Sequence, residues 1–228
     1  MPSHRREELV DESGRVDEAH STVRTAYAIL LGFTVLVVWQ QWNSADTTTQ
    51  NEAADLGNIY WTANQFPEQQ RNQIQDLARS YAQTVIDEEW PLMEQEQHSR
   101  HVDTILKELR DANDKFAPGT IAEQNMQSQE LTRINALASE RGQRLLASRT
   151  SLPSILRIVL IVGGVILAAF YYFTETKPLW VHTWAVLAAT ATIVLVLATV
   201  FVMAHPFSGP VRIQPDALEF QLQEMEGE

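Results

Sequence analysis

Three stretches of the chain carry no charged residue, and they set its plan. Residues 25–45 run for 21 positions without charge, residues 158–174 for 17 and residues 178–211 for 34. A hydrocarbon core of ~30 Å takes ~20 mostly apolar helical residues to cross. All three stretches meet that length, and none shows the polar face that a soluble helix of this size carries. Aromatic residues stand at their ends as interfacial anchors: Trp39 and Trp42, then Tyr171, Tyr172 and Phe173, then Trp180 and Trp184. The pattern predicts transmembrane helices over residues 24–42, 153–174 and 182–204.

Between the first and second spans the apolar residues fall at helical spacing. Ala53, Leu56, Tyr60 and Ala63 extend the first span beyond the membrane. Pro67 and Glu68 suit the first turn of a new helix, with Ile74, Leu77, Tyr81 and Val85 as its apolar face. That helix is expected to end near Trp90, because Pro91 disfavours helix in the residue before it. Val102, Ile105, Leu106, Leu109 and Phe116 mark a third helix, broken by Pro118-Gly119. Thr120 and Glu123 form a capping-box pattern that opens a fourth, which carries Leu131, Ile134, Leu137 and Leu145. No run alternates at period two, so no sheet is expected. The fold class is an all-α integral membrane protein, with three transmembrane helices and a helical extramembrane domain between the first and second. Residues 1–23 form a polar N-terminal tail, 43–152 the acidic extramembrane domain and 205–228 an acidic C-terminal tail or short amphipathic helix.

Charge sharpens this division. The 228 residues carry 17 Lys plus Arg against 29 Asp plus Glu, a net charge of −12. Without clustered basic residues the chain is not expected to bind nucleic acid. It has no cysteine, which removes disulfides, thiolate metal sites and cysteine nucleophiles. The first 22 residues hold six carboxylates and no apolar core, so the first span is expected to act as a retained insertion signal.

Candidate chemistry is sparse. His98 and His101 are three apart, with Glu94 a turn earlier, a spacing that suits either a metal or a solvated polar face. Glu88-Glu89 is a carboxylate pair with acid/base potential, or a solvated helix end. No Gly-rich phosphate loop, GxSxG or HExxH motif is present. Gly163-Gly164, with Ala168 a turn on, suits close helix approach, as do Thr192 and Thr199 in the third span. The chain is read as a non-enzyme that needs no cofactor.

Arg157 lies one turn into the second span. It is either an interfacial anchor or a cation facing a water-filled vestibule that attracts anions. Arg141, Arg144 and Arg149 precede it on the same approach to the membrane. Thr34 and Gly32 are the only relief in the apolar first span. That makes Arg141, Arg144, Arg157 and Thr34 the candidate pore and anion-vestibule residues. A count of basic residues beside the spans is five on each side, and the cluster before the second span tips the middle domain toward the cytoplasm.

Several landmarks resemble the bestrophin-like domain family of bacterial membrane proteins. Tyr27-Ala28-Ile29-Leu30-Leu31 opens a span that Trp39 closes, and Ala45 is followed by Glu52-Ala53. Tyr81, Glu89-Trp90-Pro91, the Arg141/Arg144-Leu145 run and Leu152-Pro153 come next. Pro206-Phe207-Ser208-Gly209 follows the last span, with Pro215 and Phe220 beyond. Glu52, Glu89, Trp90, Pro153, Pro206, Phe207 and Gly209 are thus family-motif positions. The resemblance implies two helices before a helical cytoplasmic domain and two after it. Here the polar residues 1–24 stand where that plan has its first span, and Arg157 stands where the family more often has Trp. The resemblance also implies subunits in a ring, a pentamer by analogy with bestrophins proper, around an anion-conducting pore in a bacterial inner membrane, a multi-pass protein whose partners are lipid and copies of itself. The alternative is a non-conducting membrane scaffold whose residues 43–152 bind a protein partner.

Overall fold

The computed structural model describes residues 2–173 and 179–227. Among them the chain is helical, with no strand. It divides into two compact units, one of residues 1–40 and 152–204, the other of residues 41–151 and 205–228.

Helix α1 (Pro2–Thr62) contributes to both units. The polar residues expected as a tail are helical from Pro2 and continuous with the apolar segment. The helix also continues through Ala53, Leu56 and Tyr60, as their spacing predicts. A short 3₁₀ turn, Ala63–Gln65, ends it.

The first unit is completed by α6 (Ser154–Phe173) and α7 (Leu179–Met203). Its buried cluster is Val38, Leu152, Leu160, Val200 and Ala204. Tyr27 of α1 packs on α6, donating its hydroxyl to the Leu160 carbonyl at 2.8 Å. A Cβ at Gly163 would lie 2.5 Å from the Tyr27 ring, so the glycine there admits an aromatic ring rather than another backbone. Thr192 and Thr199 donate to the carbonyls of Ala188 and Leu195 in their own helix. Trp39, Trp180 and Trp184 are exposed, as anchors would be. The side chains of Tyr171, Tyr172 and Phe173, and the loop with Glu175 and Lys177, lie outside the described residues.

Among the described residues two helices are long and apolar enough to cross a membrane, Ser21–Gln65 and Thr183–Met203. A third span is counted when α6 is taken with the helix before it. The apolar residues of that pair belong to α6, because the preceding helix carries seven charged residues.

The second unit holds α2 (Glu68–Thr84), a π turn (Val85–Glu89), α3 (Trp90–Met93), α4 (Arg100–Asp114), α5 (Ile121–Arg149) and α8 (Asp216–Glu226). Helix α2 packs against α4 and α8, and α4 against α5. Leu56, Ile59, Ile74, Tyr81, Leu109, Ile134, Leu137 and Leu218 are among its fully buried side chains. The capping box forms as its sequence predicts: Thr120 Oγ1 accepts from the Glu123 amide at 3.2 Å, and Glu123 Oε2 accepts from the Thr120 amide at 3.0 Å. Pro67 precedes α2, and its carbonyl takes the Gln70 and Arg71 amides at 2.9 Å.

One boundary differs from expectation. The helix does not stop at Trp90. It widens into the π turn and restarts as α3, with Pro91 in the first turn. Pro91 has no N–H to donate, and the helix passes through it at the junction of π and α geometry. The C-terminal residues are likewise a packed helix, with Leu218 and Met225 buried.

Candidate functional site

Arg141 and Arg144 are three residues apart and so share one face of α5. Ile134 and Leu137 lie on the same face, and the helix carries that face inward. Arg144 is therefore completely buried and Arg141 nearly so. A buried guanidinium needs a carboxylate and hydrogen bonds around it. Two carboxylates, themselves fully buried, supply them: Glu52 from α1 and Glu89 from the last position of the π turn.

The geometry is bidentate. Arg144 Nε reaches Glu52 Oε2 at 2.6 Å and its Nη2 reaches Glu52 Oε1 at 3.0 Å. The same Nη2 bonds Glu89 Oε1 at 2.8 Å, while Nη1 lies 2.6 Å from the Met93 sulfur. Arg141 grips the other side of Glu89, with Nε at 2.9 Å from Oε1 and Nη2 at 2.5 Å from Oε2. Its Nη1 turns outward to Asp103 at 2.7 Å, and its Nη2 also donates to the Ser99 carbonyl at 3.2 Å. Tyr81 donates its hydroxyl to Glu52 Oε1 at 2.6 Å, and the Ser99 amide donates to Glu89 Oε2 at 3.1 Å.

The π turn accounts for the split roles of the carboxylate pair. Widening the helix changes which residues face the core. Glu89 points in, and Glu88 points out to Ser99 Oγ at 3.0 Å and His101 Nδ1 at 3.2 Å. Trp90 follows, with the Arg144 guanidinium carbon 5.0 Å from its ring centroid. Phe207 meets Trp90 edge to face at 5.7 Å, and Trp90 Nε1 donates to the Ile213 carbonyl at 3.3 Å. The turn that presents Phe207 is closed by the Ile213 amide on the Pro206 carbonyl at 2.8 Å, and includes Gly209 at φ +91°, which favours glycine.

Electrostatics follow the contacts. Burial alone would raise the Glu89 carboxyl, but the hydrogen bonds from Arg141 and the charge of Arg144 overcome it, so Glu89 titrates below the usual range. Burial, then the adjacent Glu52 charge, push Tyr81 well above an ordinary phenol. Both arginines are pushed above their ordinary value: burial opposes this, and their carboxylate partners prevail. The quartet is thus two fixed positive and two negative charges, closed to solvent.

Arg141 and Arg144, expected at an anion vestibule, are engaged within the second unit by Glu52 and Glu89. Their positive charges are already neutralised by Glu52 and Glu89, and neither guanidinium is presented to an anion in solution. The other two residues of that expectation lie in the first unit. Thr34 is buried and donates to the Leu30 carbonyl at 2.8 Å. Arg157 is half-buried and donates to Ser154 Oγ at 3.1 Å. Pro153 starts α6, its carbonyl taking the Leu156 and Arg157 amides at 2.9 and 3.1 Å.

The histidine pair does not converge. His98 faces Asp103 at 3.6 Å and Arg149 at 3.3 Å, His101 faces Glu88, and Glu94 pairs with Arg212. Among the described residues no group of three or more His, Asp or Glu side chains could hold a metal.

A third buried acid escaped sequence reasoning. Glu130 of α5 is fully buried, and neither carboxyl oxygen has a hydrogen-bond partner among the described residues. The buried Asn113 side chain of α4 is equally unpartnered there. Burial raises the Glu130 carboxyl to about 7, against a small opposing pull from Arg133.

The apolar helices and this domain define an all-helical membrane protein. The Bestrophin-like domain model matches residues 18–218, and the chain belongs to that family. Solved structures share the fold. A bacterial Bestrophin homolog from Klebsiella pneumoniae carrying a point substitution gives a TM-score of 0.75 at 12% identity, over 92% of this chain and 87% of that one. The same organism's homolog solved by Zn-SAD phasing gives 0.72 at 14% identity, with the same coverage. A structure described as a membrane protein gives 0.73 at 13%, again over 92% and 87%. No curated protein matches the chain.

Arg144→Ala is expected to cost about 3–5 kcal/mol, because it leaves buried carboxylates without their cation. In thermal unfolding of the full chain in detergent, Glu52→Gln with Arg144→Met should cost less than the two single changes added together. Strict additivity would show that the quartet does not act as a unit.

Glu89 and Glu130 pull stability in opposite directions with pH. The folded-state pKa of Glu89 is depressed, so its contribution is complete above the ordinary carboxylate pKa and is lost as pH falls through the depressed one. That of Glu130 is raised, so stability falls as pH climbs from 4.5 to about 7. Glu130→Gln should raise the melting temperature at pH 8, removing a penalty of roughly 3 kcal/mol, and change little at pH 4.5. An equal shift at both pH values would count against ionisation as the cause.

Proposed function

We propose that this chain assembles into a homo-oligomeric ion-conducting pore in a bacterial cytoplasmic membrane, with α1 of each copy forming the wall. One observation carries the reading: the apolar segment of α1 has two distinct faces. Tyr27, Thr34 and Val38 are buried within the first unit, while Ile29, Phe33, Leu36 and Val37 are 43–64% exposed. The two or three spans among the described residues are too few to enclose water. Several copies presenting the exposed face of α1 to a common axis would make an apolar constriction at Ile29 and Phe33, one turn apart, which gates by dewetting. Family membership supports this reading, as does a fold that follows solved bestrophin homologues over 92% of the chain.

A second reading keeps the membrane anchor without conduction. Trp61, Ile121, Leu146, Val211 and Phe220 of the second unit are exposed apolar side chains that protein partners could cover. Native mass spectrometry from lipid nanodiscs separates the two. The pore reading expects a closed homo-oligomer of four or more copies. A monomer or dimer would overturn it and leave the partner reading.

The second unit is assigned to the cytoplasm, supported by Arg141, Arg144 and Arg149 ahead of α6. The chain has no native cysteine, so Asp111→Cys at an exposed position gives a single label site. An impermeant maleimide should react with it only after spheroplasts are opened. Reaction in intact spheroplasts would reverse the assignment.

A further inference from the structure

We infer that the second unit binds a monovalent alkali cation between α4 and α5, held by the Glu130 carboxylate and the side-chain carbonyl of Asn113. Such a site needs neither conduction nor assembly. Local structure brings the two residues together. Gln127 Nε2 donates to the carbonyls of Asn113 and Phe116 at 2.8 and 3.0 Å, which pins the end of α4 against α5. Glu130 stands three residues after Gln127 and four before Ile134, so these residues share one face of α5. Asn113 stands four residues after the buried Leu109 of α4. Glu130 and Asn113 are themselves fully buried. They therefore enter the α4–α5 contact within about one helical turn, ~5 Å, of each other.

The unpartnered atoms of this pair point to a cation. Glu130 Oε1 and Oε2 and Asn113 Oδ1 and Nδ2 have no hydrogen-bond partner among the described residues. Three of the four are oxygens that accept. The backbone is not the source of the mismatch, because the Asn113 carbonyl already takes the Phe116 amide at 3.2 Å as well as Gln127. The neighbours along both helices are apolar: Leu109, Phe116 and Ile134. A carboxylate in such surroundings pairs with a cation, coordinates an ion or gives up its charge. Glu52 and Glu89 take the first course with two arginines. Arg133 pulls against burial at Glu130, yet that carboxyl still rises to about 7, so near neutral pH it can exchange its proton for another cation.

The ligand set selects the class of ion. Calcium and the transition metals gather several carboxylates or imidazoles. Among the described residues no three such groups come together. One carboxylate with one amide carbonyl offsets a single positive charge, which suits sodium or potassium. Residues 41–151 and 205–228 carry a net charge of −11, a field that concentrates cations around the unit.

Thermal unfolding of the full chain in detergent at pH 8 tests the site, with N-methylglucamine chloride replaced stepwise by sodium or potassium chloride at constant ionic strength. The wild-type melting temperature should rise by several degrees and level off, as binding to the folded state requires. The salt that saturates at the lower concentration identifies the ion. Glu130→Gln keeps the shape without the charge and should not respond, so its advantage over wild type at pH 8 should shrink as the salt is added. Asn113→Leu removes the second ligand and should move the titration midpoint at least tenfold higher. A wild type that responds to neither salt overturns the inference. So does an equal rise in wild type and Glu130→Gln, which places the salt effect elsewhere. If Glu130→Gln does not fold, an unmoved midpoint in Asn113→Leu overturns it.

Discussion

The burial of one guanidinium constrains the second unit more than any other single feature. Arg144 is the largest fully buried side chain there, and an unpaired charge in that position would cost several kcal/mol. Glu52 and Glu89 must therefore arrive at fixed positions around it. Glu52 brings in α1, Glu89 brings in the end of the π turn, and both arginines bring in α5. Three segments far apart in the chain are joined by charge-assisted bonds of 2.5–3.0 Å. Apolar residues would hold the same volume together, but they would not fix direction. Bidentate guanidinium–carboxylate pairs fix it because both partners are planar.

The irregular backbone beside the quartet belongs to the same arrangement. A regular helix through residues 85–89 would carry a different residue to the position Glu89 holds. The π turn re-aims the chain, places Glu88 outside, and sets Trp90 against Arg144 on one side and Phe207 on the other. The residues after α7 thus gain a buried place in the second unit. Their contacts are aromatic and apolar, extended by Ile213, Leu218 and Met225.

The quartet also shapes the electrostatics of the exterior. By pairing two arginines with two glutamates it removes equal numbers of each charge from the surface. The excess acid stays outside, where solvent supports it at little cost.

The sequence by itself determined the membrane plan and most helix positions. The uncharged runs, the Thr120 capping box and Pro67 are local signals, since backbone and bilayer respond to neighbours a few residues apart. The destination of Arg141 and Arg144 was partly legible as well: they continue the Ile134–Leu137 stripe at three- and four-residue steps, as Glu52 continues the one through Leu56 and Ile59. Charge on a stripe, however, reads equally as a solvated edge until a counter-charge is located. The tertiary structure supplied those counter-charges from 55 and 92 positions away, and it turned Pro91 from a helix stop into the first turn of α3. The sealing of the arginines, the unpartnered Glu130 and the two faces of α1 all depend on which surfaces other helices cover. Packing between distant segments decides that, and no local spacing encodes it.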